Sequence, residues 1–470
     1  MVGFPDPQEP RMIRTALTTL LLACAMPAMA APPSAARWSL TNLVETPAAT
    51  RDAVRLPPGT PDQANLNRFG FYSDLSYNRR DGYWYALSDR GPGGGVIDYA
   101  TRLQRLRIPY DRRSGRIGQP VVDKTILFHT ARGESFNGLN PQLLNGDASK
   151  LGLSFDPEGL AIGRNGHFFI ADEYGPSVYE FSPNGRFLRA FATPANLLPR
   201  NAQGGLDYVG DRKLVINGRQ DNRGFEGLSF NASGDKLYAV MQDPLTQEGS
   251  NNDGRRSRNV RIVEFDLRSG RSRAQYVYRL EPIADLNAVD PSTADDFSAT
   301  NQGRSIGLSA IHALSDSEFL VLERDNRGLG VEVTAAPLHK RVYRISLRGA
   351  SNVAERSLAG SDDLPADVRA VGKAPELDIL AALRDAGARD IPEKLEGLAI
   401  GPRLRGGKHL VLIGSDNDYS VTQTGAGEQF EVCINRASGE RAQVALDGDC
   451  PAGMSRIPGT LIGFAVDFRR

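Results

Sequence analysis

Acidic residues recur at fixed places beside short apolar runs, and their types and spacing suit metal binding or acid–base chemistry. Glu-Gly-Leu begins such a run at Glu158, Glu226 and Glu396. The next run along the chain ends in a second set of carboxylates. This set consists of Asp89, Asp172, Glu173, Asp243, Glu323, Asp325, Asp416 and Asp418. Carboxylates that are partly removed from water repel one another, so we expect a counter-charge among them.

A divalent cation is the first candidate for that counter-charge. Hard oxygen ligands without Cys or many His favour Ca²⁺, with Mg²⁺ and Mn²⁺ as alternatives. Arginines recur in near-identical Asp-Arg-Gly and Asp-Asn-Arg-Gly segments, at Arg90, Arg223 and Arg327. Because Arg binds phosphate or carboxylate through two hydrogen bonds, these residues are candidates for holding an anionic substrate. Acids for a cation and arginines for an anion predict a phosphoester or organic-acid site.

A structural interpretation competes with this one, because strand-end acids also hydrogen-bond turn backbones and Arg–Asp pairs also stabilise folds. Two observations bear on the choice. Hairpins alone do not require Glu before Gly-Leu, and the fourth run begins with Ile306 where the others have an acid. The sequence contains no G-x-S-x-G, Walker or H-E-x-x-H motif, and its five histidines are isolated. These absences exclude the commonest hydrolase and nucleotide-binding signatures.

Short apolar runs bounded by Gly, Pro and Asn predict antiparallel strands joined by hairpins. The pattern repeats in units that begin near residues 74, 155, 226, 307 and 396. Repeated four-stranded units predict an all-β protein, a β-propeller of five blades, with a count of six and a β-sandwich as the alternatives. A lone strand at 38–45 would complete the last unit and close the ring. Pro375 to Ala386 has helical spacing, and we expect a helix there.

The N-terminus has the features of a signal peptide, 1–30, cleaved after Ala30. A lipoprotein anchored at Cys24 is the alternative. A leader with the closing strand, 31–64, and one large domain, 65–470, follow. Lys plus Arg equals Asp plus Glu at 56 each, which gives no electrostatic case for nucleic acid. We expect an exported monomer without a membrane span, in which Cys433 and Cys450 form a disulfide worth about 3 kcal/mol.

The chain resembles the bacterial exported proteins that carry the phytase-like domain, "esterase-like activity of phytase". The resemblance rests on FDPEGLA with IADEYGP at 155–176, DNRGFEGLS at 221–229, and LEGLAI with SDND between 395 and 418. It implies a propeller-like fold and hydrolysis of phosphoesters or esters in the periplasm or outside the cell. Carried over by motif, the candidate site residues are Glu158, Asp172, Glu173, Glu226, Glu396 and Asp416.

Three functional hypotheses follow from these residues. In the first, a metal-dependent hydrolase of phosphoesters or related esters binds Ca²⁺ through Glu158, Glu226 and Glu396. Its catalytic residues are Asp172, Glu173 and Asp416, and Arg90, Arg223 and Arg327 hold the substrate. The second is a non-catalytic propeller that binds a ligand or partner at the same acids. The third is a Ca²⁺-dependent hydrolase of lactones.

Overall fold

The computed structural model describes residues 1, 3, 37–56, 66–209, 214–290, 292, 294–424 and 428–468. Contacts divide the chain into Met1–Ser34 and a compact unit, Ala35–Arg470. Apart from residues 1 and 3, the predicted signal peptide, with Cys24 and Ala30, lies outside the described residues. No helix in the described part of the chain is both long and apolar enough to cross a bilayer.

Five four-stranded antiparallel sheets follow one another along the chain, which confirms the all-β prediction. The first sheet consists of Asp74–Asn78, Tyr83–Leu87, Arg102–Arg107 and Val121–Leu127, and the second of Pro157–Ile162, Phe168–Asp172, Ser177–Phe181 and Phe187–Ala190. The third consists of Phe225–Phe230, Lys236–Met241, Asn259–Asp266 and Arg271–Arg279, and the fourth of Ile306–Ala313, Glu318–Asp325, Lys340–Ser346 and Gly372–Asp378. The fifth consists of Lys394–Arg403, His409–Asp416, Gly459–Asp467 and Arg37–Thr46.

The first strand of each sheet, called the inner strand here, forms the contacts that join the sheets. Inner strands contact one another in chain order, and the inner strand of the fifth sheet contacts that of the first. The N-terminal strand pairs with Gly459–Asp467 as the fourth strand of the fifth sheet, as the sequence predicted. The first and last strands of the described chain are thus held in one sheet.

Aromatic side chains are part of the core between the first four sheets, together with many aliphatic ones. Ring pairs join the first sheet to the second, the second to the third and the third to the fourth. Their centroid separations are 5.4 Å for Tyr85–Phe168, 5.1 Å for Phe169–Phe230 and 4.8 Å for Tyr238–Phe319. Large buried rings account for much of the area that folding removes from water, so these pairs hold the sheets face to face.

The predicted helix at 375–386 is wrong in its first turn. Residues up to Asp378 belong to the strand Gly372–Asp378, which pairs with Lys340–Ser346, and the helix is Ile379–Asp385. The Asp378 side chain accepts a hydrogen bond from the backbone N–H of Ala381 and so caps that helix. The other helices are Pro141–Asn145, Ile283–Asn287 and Gln302–Ser305, with single 3₁₀ turns at Ser250–Asn252, Gly254–Arg256 and Asp418–Ser420 and a small strand pair, Arg200–Asn201 with Val215–Asn217.

A further small sheet is inserted between the second and third strands of the fifth sheet. It consists of Val421–Thr424, Glu428–Ile434, Arg441–Ala445 and Ser455–Arg456. The long segments in which a sixth unit was sought, 129–155, 281–305 and 348–395, form no additional four-stranded sheet in their described residues. The predicted disulfide Cys433–Cys450 is confirmed and lies in this insertion.

The glycine of each Glu-Gly-Leu segment lets neighbouring inner strands approach closely. A Cβ atom placed on Gly159 would lie 2.9 Å from the carbonyl carbon of Gly227. A Cβ on Gly227 would lie 2.9 Å from the Cα of Ala310 and the backbone N of Ile311. Because backbone atoms cannot rotate away as a flexible side chain can, the contact requires glycine.

Gly227→Ala should therefore destabilise the protein by about 1–3 kcal/mol, the usual cost of overpacking. Gly372→Ala is a matched control, since the nearest atoms to its Cβ would lie 3.7 Å away, at ordinary contact distance. Urea unfolding of both variants measures the difference. Equal stabilities would show that the inner strands can separate at no cost and would contradict the packing argument.

Candidate functional site

A β-bulge directs the glutamate of each Glu-Gly-Leu segment. In the second sheet Pro157 pairs with Asp172 and Gly159 with Ala171, so Glu158 is an extra residue in the ladder. The same irregularity occurs at Glu226 and at Glu396. Bulges re-aim a side chain away from the regular alternation of a strand. The acids therefore share one local backbone feature as well as one sequence motif.

Two groups of carboxylates lie at this end of the inner strands, and both include Asp89. Carboxylate oxygens of Asp89, Asp156 and Glu158 lie within 4.8 Å of one another, and the same holds for Asp89, Asp416 and Asp418. The five residues are called the acidic cluster here. Asp156 was not recognised as a candidate from the sequence, although it precedes Glu158 by two positions in the same motif.

The acidic cluster contains more carboxyl groups than basic groups, and the pKa values of several of these carboxyl groups are raised. Burial, with repulsion from Glu226 and Asp156, raises the pKa of Glu158 well above its usual range. Burial, with repulsion from Asp416 and Asp156, does the same to the pKa of Asp89. Burial also raises the pKa of Asp156 and of Asp416 to about 7, although Arg90 and Lys394 act against it.

Two basic residues offset part of the charge. The Arg90 guanidinium donates a hydrogen bond of 3.0 Å to Asp156, and its backbone N–H donates one of 3.1 Å to the same carboxylate. Lys394 pairs with Asp418 and lies 3.6 Å from Asp416. No such cation contacts Glu158 among the described residues, so no basic group offsets a negative charge on this carboxyl.

Glu226 and Glu396 lie next to the cluster, and an unforeseen arginine separates them. Arg324 donates hydrogen bonds of 2.5 Å to Glu396 and 2.9 Å to the Ser309 hydroxyl, and Ser309 is the bulged residue of the fourth inner strand. Glu226 accepts a 2.7 Å hydrogen bond from Gln242, but its Oε2 is buried without a partner. Burial, with repulsion from Glu173 and Glu396, raises the pKa of Glu226 well above its usual range.

The fourth sheet thus contributes a cation where the other units contribute acids. The sequence pattern matched Ile306 to the acids of the other units, but the bulged position of the fourth inner strand is Ser309, three residues further on. Arg324 at the end of the paired strand was not recognised.

Asp74 of the first inner strand has a different role. Its carboxylate accepts hydrogen bonds from the backbone N–H groups of Leu75 and Leu160, each at 2.7 Å, and so ties two inner strands together.

The three predicted catalytic residues have different surroundings. Both Asp172 oxygens are occupied by hydrogen bonds within the second sheet, from the N–H groups of Asp156, Tyr174 and Gly175 and from the Ser177 hydroxyl. Glu173 is 2 % exposed, and its charge acts on Asp156, Glu158 and Glu226. Asp416 belongs to the acidic cluster. The geometry therefore brings Glu173 and Asp416 to the cluster and directs Asp172 into a turn.

The predicted substrate arginines all have protein partners. Arg90 and Arg223 both donate to Asn222, the first to its side chain and the second to its carbonyl. Arg223 also forms a 3.0 Å ion pair with Asp243. Arg327 lies apart, with its guanidinium 3.7 Å from the ring centroid of Phe297 in a separate cavity of about 460 Å³. The structure therefore places Arg90 at the cluster and Arg327 away from it.

Comparison with known proteins assigns the family. The chain belongs to the phytase-like family described as "esterase-like activity of phytase", whose model matches residues 67–419. An "uncharacterized secreted protein" of Arthroderma benhamiae is 30% identical over 439 residues, covering 78% of this chain and 83% of the relative. The predicted family membership is confirmed.

Similarity to solved structures is weak. The PQQ-bound aldose sugar dehydrogenase of Streptomyces coelicolor is 12% identical, with 93% of this chain and 100% of that chain covered and a TM-score of 0.30. An auxiliary nutrient binding protein of Bacteroides thetaiotaomicron is 10% identical, with 92% of this chain and 77% of that chain covered and a TM-score of 0.29.

Removing Arg324 should expose the repulsion between Glu226 and Glu396. Arg324→Met leaves a buried carboxylate without its partner, and we expect a loss of about 3–5 kcal/mol in the free energy of unfolding. The double variant Arg324→Met, Glu396→Gln should recover most of that loss, because the uncompensated charge is gone. A double variant as unstable as the single one would contradict the pairing. Urea unfolding measures all three proteins.

The pKa shifts also predict how Asp89 affects stability without metal. A carboxyl group whose pKa is raised by folding costs no stability below its ordinary pKa near 4, because it is then protonated in both the folded and the unfolded state. As the pH rises above that value, the free energy of unfolding falls. In chelator, Asp89→Asn should therefore raise the thermal unfolding midpoint at pH 7 and much less at pH 5. If the acidic cluster binds Ca²⁺, added Ca²⁺ should reverse the order, because the variant would lack one carboxylate ligand.

Asp147→Asn is the control for this comparison. Hydrogen bonds from Ser149 lower the pKa of the exposed Asp147 to about 2, so neutralising it should give no gain at pH 7. A midpoint for Asp89→Asn that falls at pH 7 in chelator would show that the cluster does not repel itself.

Proposed function

We propose that this chain is a secreted, metal-dependent hydrolase of phosphoesters or related esters, built as a five-bladed β-propeller with its site at the acidic cluster. The observation that carries the proposal is the group of buried Asp89 and Asp156 with half-buried Glu158, all with raised pKa values, beside Arg90. Family membership supports the reaction class, and the name of the Arthroderma relative supports secretion.

Contacts between the inner strands support the propeller. They connect each sheet to the next and the fifth sheet to the first, as a ring of blades requires. The N-terminal strand would then close the ring by pairing with the last strand of the chain. In such a ring the inner strands line a central channel, and the acidic cluster lies at one end of it.

The residues at this end fit a hard cation. Every candidate ligand is a carboxylate, which suits Ca²⁺ and, less well, Mg²⁺ or Mn²⁺. The buried Oε2 of Glu226 has no partner, so a polar atom next to the cluster is available for a ligand. Asp89, Asp156 and Glu158 would hold the ion, with Glu226 beside them. A bound divalent ion supplies positive charge that polarises an ester or phosphoryl oxygen and acidifies a coordinated water.

The protein's own groups supply the remaining functions. Asp416, whose pKa is raised to about 7 by burial, suits a general base near neutral pH. Glu173 lies close enough for its charge to act on the cluster and is the second candidate. Arg90 is positioned to hold the anionic part of a substrate, at the expense of its contact with Asp156. Glu396 would be held by Arg324 and would act on the ion only through its charge.

One observation favours a second candidate function, a propeller that binds a ligand without turning it over. The arginines predicted to hold a substrate already have protein partners, and each would have to exchange one of them. A lactonase remains a third possibility, since acids and a cation also suit lactone opening. The substrate screen below distinguishes the three.

The protein, loaded with Ca²⁺ and assayed with p-nitrophenyl phosphate, p-nitrophenyl acetate and a γ-lactone, should hydrolyse one of these substrate classes. Chelator should abolish turnover. Asp416→Asn should lower kcat by about 100-fold or more, the usual contribution of a general base. Glu158→Gln should raise, by about 10-fold or more, the Ca²⁺ concentration that is needed to activate the protein and to raise its thermal midpoint.

Glu134→Gln is the control, because Glu134 is exposed in a turn away from the cluster. Calcium binding without turnover of any of the three substrates would favour the binding propeller. Absence of bound metal, together with a thermal midpoint that Glu158→Gln and chelator leave unchanged, would overturn the metal site itself.

A further inference from the structure

A large cavity lies at the opposite ends of the inner strands from the acidic cluster. Its volume is about 710 Å³, within the range of small-molecule sites. The last residues of the inner strands in the first four sheets line it, together with Ile400 of the fifth. These residues are Asn78, Ile162, Phe230 and Ala313. Neither the family motifs nor the proposed hydrolase uses it.

Basic side chains are the most numerous ionisable groups in the lining, and we call this cavity the basic basin. They are Arg79, Arg80, Arg164, Arg189 and His312. Glu180 is the one carboxylate in the lining, and its oxygens accept hydrogen bonds of 2.7 Å from His167 and 2.6 Å from Arg189. The basin therefore has an excess of positive charge that its own lining does not neutralise.

Acids in the surrounding turns hydrogen-bond to neutral donors and form no ion pair with these arginines in the described residues. Asp81 accepts hydrogen bonds from Asn78, Tyr83 and Tyr85, all in its own hairpin. Asp235 accepts from Asn231 and Ser233 in its own turn, and Asp316 accepts from the backbone N–H of Ser233. None of these three acids lines the cavity.

Several donors of the basin are available. The guanidinium groups of Arg79 and Arg80 form no hydrogen bond or ion pair with any residue that the structure describes. Arg164 donates one hydrogen bond, of 3.3 Å, to the carbonyl of Ala232. Burial, with the charge of Arg79, lowers the pKa of His312 to about 4, so the imidazole is neutral at pH 7 and can donate one hydrogen bond.

The floor of the basin is apolar. Leu160, Leu228 and Phe169 line it, and each is at most 3 % exposed. Leu160 and Leu228 lie two residues along their strands from Glu158 and Glu226, roughly 7 Å away at the usual rise of a strand. The basin and the acidic cluster are therefore separate sites divided by an apolar layer.

We propose that the basic basin binds a small organic anion, with its phosphate or carboxylate group among Arg79, Arg80 and Arg164 and an apolar body on Leu160, Leu228 and Phe169. Arginine suits both anions because its donors match their oxygens in pairs. The same anion would meet repulsion at the acidic cluster. The basin thus adds to the proposed hydrolase a second site with the opposite ligand preference.

Calorimetric titration of the full-length protein with phenyl phosphate, benzoate and benzyl alcohol tests this proposal. Phenyl phosphate or benzoate should bind, and comparison of the two shows whether the basin prefers a phosphate or a carboxylate group. The neutral benzyl alcohol should bind at least about 10-fold more weakly. Arg79→Ala, Arg164→Ala should weaken anion binding at least about 10-fold. Both residues are exposed, so the double variant is expected to fold.

Two control proteins separate the basin from other effects. Arg113→Ala, Arg132→Ala removes two exposed arginines outside the basin and should leave binding unchanged. Glu158→Gln should also leave it unchanged, whether or not the hydrolase proposal holds. In NMR titrations the pKa of His312 should rise when the anion binds, since a nearby negative charge favours imidazolium.

Three results would overturn the proposal. They are no binding of either anion at millimolar concentration, anion binding that Arg79→Ala, Arg164→Ala does not weaken, and anion binding that Glu158→Gln abolishes. The last would place the anion at the acidic cluster.

Discussion

Repulsion among buried carboxylates is the constraint on which the arrangement of this protein depends. Close packing of the inner strands through Gly159 and Gly227 brings the acids of neighbouring sheets together, and burial prevents water from screening them. Basic residues offset the charge of only some of these carboxylates. Arg324 neutralises Glu396 and Lys394 pairs with Asp418, whereas Glu158 has no such partner among the described residues.

Local features explain why most of the fold could be predicted from the sequence. Hairpin turns containing Gly, Asn and Pro delimit strands whatever the tertiary context, so each of the five units was found at its place. Residues 375–378 of the strand Gly372–Asp378 were mistaken for the start of a helix because Pro375 suits a first helical turn and Leu377 fits helical spacing with Leu380 and Leu383. Only its pairing with Lys340–Ser346 decides between the two, and pairing partners are not visible in a single run of residues.

Prediction of the site failed wherever a residue acts through another part of the chain. Glu158, Glu226 and Glu396 were found because the same motif repeats. Arg324 was missed because nothing in its own segment marks it, and its role depends on a carboxylate 72 positions away. Asp172 illustrates how a strand-end acid can bond a turn as well as a ligand, and its catalytic role stays a prediction. Its four hydrogen bonds within the second sheet are of that structural kind.

Charge of opposite sign at the two ends of the inner strands gives the two candidate sites different requirements. In the proposed hydrolase, an anion would approach Glu158 only when a cation offsets the carboxylates, so ligand binding there would depend on metal. The basic basin has its own positive charge in Arg79, Arg80 and Arg164, so binding there needs no metal. The buried side chains of Leu160 and Leu228 form an apolar layer that prevents direct ion pairs between the acids of the cluster and the arginines of the basin. We therefore expect metal loading to control ligand binding at the acidic cluster and to leave ligand binding at the basic basin unaffected.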